Sequence, residues 1–376
     1  MDLRELLREM LEREASDLHF RVGMPPFFRI DGRLSAKDIP SISPEDMEEM
    51  INQALNQEQR EIFNKRRELD LALSVSKLGR FRVNLYHQRG TPGMAIRSVK
   101  LVIPSFEELN LPQIVKKLAD EVRGLILVTG TTGSGKSTTL ASMVEHINEV
   151  RRSNVLTIED PVEYVHVNKK SIIYQRELGS DTENFATALR HAFRQDPDVI
   201  LLGEIRDLET MAIALTAADT GHLVLSTLHT LNAIETINRI ISFFPPHQHQ
   251  QIRLLLSGVL KAVISQRLLN MASGKGRVPA VEVLVSTASV RDYLVDPLKT
   301  TLITELMEEG AVQYGMQTFD QSIMRLYQQG LITYEDALLH STNPDDFELK
   351  VKGITGAADR RWTEFQRSEG GDSLSS

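Results

Sequence analysis

The stretch Leu125-Ile126-Leu127-Val128-Thr129-Gly130-Thr131-Thr132-Gly133-Ser134-Gly135-Lys136-Ser137 decides the fold. Its four leading apolar residues read as a strand buried on both faces. From Gly130 to Ser137 the spacing Gly-x-x-x-x-Gly-Lys-Ser fits the eight-position P-loop, and residues 136–149 continue as an amphipathic helix. That order of elements suits a phosphate. Glycines let successive backbone amides turn toward one anion, and the helix start adds positive potential. With ATP as ligand, Lys136 is expected to reach the β and γ phosphates and the Ser137 hydroxyl to hold Mg²⁺. Gly130, Thr132, Gly133, Ser134, Gly135 and Thr138 complete the expected binding set. The alternative is a glycine-rich turn with no ligand.

Downstream and upstream patterns differ. After the P-loop, strands are predicted at 154–158, 198–202, 222–227 and 278–285, with helices at 136–149, 182–194 and 207–219. Strand and helix in alternation imply βαβ units around a mainly parallel sheet. Beyond residue 286 the chain reads as helices, with apolar positions such as Ile323, Leu326 and Tyr327. Before the P-loop, helices are predicted at 3–14 and 57–67, and another starts at Ser43-Pro44, with Ser43 as N-cap. Strands are predicted at 17–22, 27–30, 69–75, 80–87 and 93–99, with Asp31-Gly32 as a turn. The expected division is therefore an α+β domain over 1–100, a proline-bounded linker over 101–112, an α/β domain with terminal helices over 113–355, and a polar, disordered tail over 356–376.

A bound nucleotide needs acids near its metal and attacking water. Val199-Ile200-Leu201-Leu202-Gly203-Glu204 reads as a buried strand ending in a carboxylate. Ligands gather at the carboxyl ends of such strands, so Glu204 is expected to face the P-loop and the metal. The general pattern places Asp where Gly203 stands, which moves the burden to Glu204 and a second acid. Ile158-Glu159-Asp160-Pro161-Val162-Glu163 offers that acid. Glu163 is a candidate for orienting water or taking its proton, or else a solvated loop charge, and Asp160 is otherwise a turn residue. His222 and His229 bracket the strand between them, so they lie at its opposite ends. His229, at the carboxyl end, is placed to sense a γ-phosphate. His222 begins the strand after Gly221, which caps the preceding helix. On the N-terminal strands, Arg80 and Arg82 share a face, with Arg89 and Arg97 nearby. They read either as a solvated face or as arginines that meet phosphate oxygens.

Composition narrows the classes. At 376 residues, 41% hydrophobic and 25% charged, the chain has ample material for buried cores. The net charge of -8 leans away from nucleic acid as a partner. Zero cysteines exclude disulfides, cysteine-based zinc sites and thiol catalysis. No apolar run reaches the ~20 residues that span a bilayer, and Met1-Asp2-Leu3-Arg4-Glu5 lacks the character of a signal peptide. A cytoplasmic protein that reaches a membrane only through partners is the expectation.

Four motifs together resemble one family, the secretion-type hexameric P-loop ATPases, and within them the type IV pilus retraction ATPases, PilT/PilU. They are the P-loop at 130–137, the acidic box Thr157-Ile158-Glu159-Asp160-Pro161-Val162-Glu163-Tyr164, the segment from Asp198 to Glu204 with Ile205-Arg206-Asp207, and the histidine box from Thr220 to His229. The likeness runs from Glu14-Ala15-Ser16-Asp17-Leu18-His19 to about residue 350. The resemblance implies a PAS-like N-terminal domain, a RecA-like ATPase domain and a homohexameric ring that hydrolyses ATP with Mg²⁺. It implies Glu163 as general base, Glu204 as the acid linked to metal and water, His222 and His229 in a γ-phosphate relay, and Arg82 and Arg97 as arginines that meet the nucleotide. An inner-membrane pilus platform protein and a paralogous retraction ATPase are the implied partners. Pilus-assembly and type II secretion members carry a four-cysteine insertion that a cysteine-free chain lacks; these, and a RecA-like nucleic-acid motor, are the rival readings. Ser289-Val290-Arg291-Asp292-Tyr293-Leu294 stands where retraction members carry a sequence close to Ala-Ile-Arg-Asn-Leu-Ile, and matches it in part.

Overall fold

Residues 1–30, 32–99 and 102–353 are described in a computed structural model, which divides into two units. The first is Met1–Val102 together with Val162–Val165; the second is Ile103–Pro161 together with the chain from His166 onward. The tail expected to be disordered, 356–376, lies outside the described residues. Among the described residues the strands form two sheets, and the α/β class expected from the sequence holds.

In the first unit, β1 (Asp17–Arg21), β2 (Phe27–Ile30), β3 (Arg33–Ala36), β4 (Glu68–Val75), β5 (Gly79–Gln88) and β6 (Thr91–Ser98) lie in the order β3-β2-β1-β6-β5-β4, every pair antiparallel. Alternation sends Leu18, Phe20, Phe28, Phe81, Val83, Leu85 and Ile96 to one face. Helix Leu3–Glu12 packs Leu3, Leu6, Leu7 and Met10 into the same core. Helix Pro44–Ala54 starts where the sequence predicts. Ser43 Oγ accepts from Asp46 N at 3.1 Å and Ser43 N donates to the Asp46 carboxylate at 3.0 Å, a reciprocal capping box. The opposite face of the sheet carries charge in register: Arg82 pairs with Arg97, Arg97 with Asp17, and Asp17 with Arg29.

The second unit is built on β7 (Gly124–Thr129), β8 (Asn154–Glu159), β9 (Ile172–Glu177), β10 (Val199–Leu202), β11 (Leu223–Leu228), β12 (Leu260–Asn270) and β13 (Arg277–Val285), in the order β13-β12-β7-β11-β10-β8-β9. All neighbours are parallel except β12 and β13. Both faces are covered. Leu125, Leu127, Leu156, Ile158, Ile200, Leu202 and Val224 face one core, with helices Phe185–Ala192, Leu208–Asp219 and Ala233–Ser242. Ile126, Val128, Val155, Val199, Leu201 and Leu225 face the other, with helix Lys136–Val150. Phe106 and Leu111, from the segment expected to be a linker, are buried in this second core, and Ser142 Oγ donates to Pro104 O at 2.7 Å. Leu269, Val278 and Ala280 carry a further cluster with Phe319, Ile323, Leu326 and Phe347 of the C-terminal helices. Burial at both faces anchors β7, and so fixes the loop that leaves its carboxyl end.

Candidate nucleotide site

The P-loop is shaped by close approach as much as by turning. Gly130 has φ +139°, and a Cβ there would stand 2.4 Å from Gln266 O and 2.6 Å from Ser134 Oγ. No side chain fits. Helix Lys136–Val150 begins at Gly135 with no side-chain cap, which leaves its first amides for another acceptor. Ser134 Oγ is buried without a protein partner, an acceptor and donor inside the loop that a phosphate would satisfy. Lys136 is 8% exposed, and its ammonium donates to Gly130 O and Thr131 O, each at 2.8 Å. Burial pulls its pKa below the usual lysine value. Ser137 is exposed at the start of the helix and Thr138 half-buried beside it. The donor set fits a triphosphate with Mg²⁺.

The carboxyl ends of neighbouring strands supply the acid and the histidine. β10 and β11 run parallel to β7's group, so Glu204 and His229, just past their ends, emerge on the P-loop side. Glu204 accepts from His229 Nε2 at 3.2 Å and contacts Arg206 Nε. Arg206 also reaches Asp160, at 3.7 Å. The His229 pKa is lowered by burial first, then by the positive charges of Lys136 and Arg206. That dependence on Lys136 places His229 in the field of the P-loop. A depressed pKa leaves the imidazole neutral near pH 7, able to donate toward Glu204. Gly203 has a local reason: a Cβ there would approach the Glu159 Cα to 3.3 Å, where the end of β8 runs alongside.

His222 is set apart from these residues. His222 is at the amino end of β11, opposite to the P-loop. Its Nδ1 contacts Ala217 O at 2.9 Å and its ring stands edge-on to Phe193. His222 N also donates to Ala217 O at 3.1 Å, so Gly221 closes the preceding helix as the sequence suggests. Within one chain, His222 is not brought together with Lys136, Glu204 and His229. Arg82 and Glu163 are brought together: the guanidinium is 2.9 Å from the carboxylate and also donates to Val162 O at 3.1 Å. Arg97 is more exposed, and its Nε donates to the buried Asp17 carboxylate at 2.7 Å.

The sequence reading missed what β12 and β13 contribute. Gln266 of β12 exchanges hydrogen bonds with Thr139 in the first turn of the P-loop helix, at 2.8 and 3.2 Å. Thr129, the residue before Gly130, donates to Ser265 Oγ at 3.0 Å. Ser265 stands directly opposite Glu282 of β13, which is 8% exposed. Burial pushes the Glu282 carboxyl up to about 7, although the Ala233 amide, Arg267 and Ser265 pull it down. The pH consequence has a definite sign. A folded-state pKa above the unfolded 4.5 contributes stability that is complete below pH 4.5 and is lost as pH rises through about 7. Glu282→Gln has no such titration. Its unfolding free energy relative to the wild-type chain is expected to rise by about 3 kcal/mol between pH 5 and pH 8. Urea denaturation at both pH values checks this; a constant difference would contradict it.

Comparisons with known proteins agree with this architecture. Residues 1–337 match the family described as type II/IV secretion system protein. The sequence is 43% identical to the type IV pilus ATPase PilU of Pseudomonas aeruginosa, over 94% of this chain and 92% of PilU. It is 41% identical to the type IV pilus retraction ATPase PilT of the same organism, over 92% of this chain and all of PilT (100%). The crystal structure of the pilus retraction motor PilT with bound ADP superposes with a TM-score of 0.86 at 46% identity, covering 93% of this chain and 99% of that one.

Proposed function

Because the chain belongs to the type II/IV secretion system protein family, we propose that it is an ATP-hydrolysing motor that powers type IV pilus retraction and twitching motility. The observation that supports ATP hydrolysis is the placement of Lys136, Glu204 and His229 just past the carboxyl ends of parallel strands, with Glu204 bonded to His229 and His229 within the field of Lys136. Similarity to PilT and PilU along most of the chain supports retraction as the work done.

The residues divide the chemistry. The amides of 130–137 and the Lys136 ammonium bind and orient the phosphates of ATP. Ser137 and Glu204 would hold Mg²⁺, which when bound offsets phosphate charge. Glu204 keeps His229 oriented through the 3.2 Å hydrogen bond; with Nε2–H turned to Glu204, the Nδ1 of the neutral ring is left to accept from a water on the γ-phosphate side. Glu163 is the proposed general base; paired with Arg82 here, it would be freed to take a proton when Arg82 turns to phosphate. Arg82 and Arg97 each already hold a carboxylate, and meeting phosphate oxygens would exchange one anion for another at modest electrostatic cost. His222, at the far end of β11 and bonded to Ala217 O, lies outside this arrangement within one chain, and its part in the relay is proposed only for the assembled ring. The assembly is a homohexamer, cytoplasmic, reaching the inner membrane through a pilus platform protein and working with a paralogous retraction ATPase.

Purified chain assayed for phosphate release, with and without DNA, tests the enzyme. DNA-independent turnover is expected; turnover that requires DNA would favour a nucleic-acid motor. Deletion of the gene tests the work. Abundant but immobile pili are expected, and a bald cell would transfer the protein to pilus assembly.

A further inference from the structure

Glu282 has no part in the reading above, yet it ties two of its elements together. Thr129, Ser265 and Glu282 lie in register on β7, β12 and β13. Cross-strand partners project from the same face, so the three side chains make one row. Thr129 donates to Ser265, and Ser265 stands directly across from Glu282, where its hydroxyl favours the carboxylate. The row starts one residue before the P-loop. At its other end Glu282 Oε1 accepts from Ala233 N at 2.7 Å.

Ala233 is the first residue of helix Ala233–Ser242, and the short run 230–232 joins it to His229. The polar bonds of that run are local. Thr230 Oγ1 bonds to Thr236 Oγ1 at 2.7 Å, Leu231 N to Glu235 at 2.9 Å, and Asn232 caps the helix through Glu235 N at 2.8 Å. All of these tie the run to its own helix, so loop and helix start move as one piece. Glu282 ties that piece to the sheet. A carboxylate also suits the positive end of a helix.

We infer that Glu282 is a positioning residue for the nucleotide site: it pins the start of helix Ala233–Ser242 to the sheet edge, and so sets where His229 stands relative to the P-loop. The inference rests on the roles proposed for His229 and the P-loop. Burial makes this carboxylate costly. The charges facing it are Arg267 on β12, which favours the anion, and Asp320 on helix Phe319–Gln328, which opposes it. A neutral side chain would be more stable there above pH 7. A buried carboxylate that lowers stability beside a nucleotide site is what a trade of stability for activity looks like.

Glu282→Gln and Glu282→Leu in the full chain separate positioning from packing. Gln keeps an acceptor for the Ala233 amide and Leu does not. The expected order of kcat is wild type, then Gln, then Leu, with Leu down about tenfold or more, since misplacement of a reacting group by about 1 Å costs up to 100-fold. KM for ATP stays within about twofold in both, because Lys136 and Ser137 are untouched. Amide hydrogen exchange across residues 229–236 speeds up in the Leu variant, and the melting temperature of the Gln variant at pH 8 is no lower than wild type. Wild-type kcat in the Leu variant, unchanged exchange at 229–236, or a kcat loss that follows a fall in melting temperature would each overturn the inference. If the wild-type chain hydrolysed no ATP, the motor reading would fall, and exchange at 229–236 would still decide whether Glu282 pins this segment.

Discussion

Lys136→Ala is expected to lower kcat/KM for ATP by about 100-fold or more while leaving the fold intact. The ammonium is the positive group held inside the P-loop, 8% exposed and bonded to two loop carbonyls. Alanine keeps the helix, since it is the strongest helix former, and keeps the backbone amides of the loop. What is lost is a buried charge aimed at phosphate oxygens, worth more there than in water. The lost bonds are to the buried Gly130 carbonyl and the partly buried Thr131 carbonyl, and removal of a charge that burial disfavours offsets them, so the expected change in melting temperature is a few degrees at most. The same substitution removes one of the positive charges that depress the His229 pKa. The imidazole of the variant should therefore titrate at higher pH, a shift that NMR of the His229 side chain reads directly. Normal turnover in this variant would refute the site.

Glu204→Gln is expected to lower kcat by about 100- to 1,000-fold and KM by comparison little. Its carboxylate orients His229 and pairs with Arg206, and glutamine matches its shape while removing its charge. A neutral amide neither holds a metal well nor fixes the imidazole, whereas phosphate binding on Lys136 and the loop amides persists. Binding of a fluorescent nucleotide should therefore survive where phosphate release fails. Leu127→Ala serves as the contrasting control. Leu127 is fully buried in a core, so its truncation costs about 2–5 kcal/mol of stability with loss of activity only as the protein unfolds. Equal loss of nucleotide binding and turnover in Glu204→Gln would place that acid in structure, not chemistry.

What the sequence made legible was local. The strand, loop and helix around Gly130 are contiguous, and the Ser43 capping box needs four residues. β12 was missed although Gly258 stands two residues before it. Across the junction of helix His249–Val259 with Leu260–Asn270, Leu255, Leu256, Val259, Ala262 and Val263 continue a helical spacing, which hides the change to a strand. β3 and β9 were missed as edge strands, where exposure removes the alternation that marks a buried face. The site was legible to the same degree. Lys136, Ser137, Glu204 and His229 follow strand ends, which a topology argument can find. Gln266, Ser265 and Glu282 reach the P-loop only through strand register, a long-range property set by the packed sheet. The Arg97–Asp17 pair is hidden for the same reason.

The most direct measurement is the electron density of this chain crystallised with a non-hydrolysable ATP analogue and Mg²⁺. The triphosphate should lie against the amides of residues 130–137, with Lys136 drawn from the Gly130 and Thr131 carbonyls onto phosphate oxygens and the metal at Ser137. Nucleotide density at another surface, or Lys136 still bonded to those two carbonyls with the analogue bound, would contradict it.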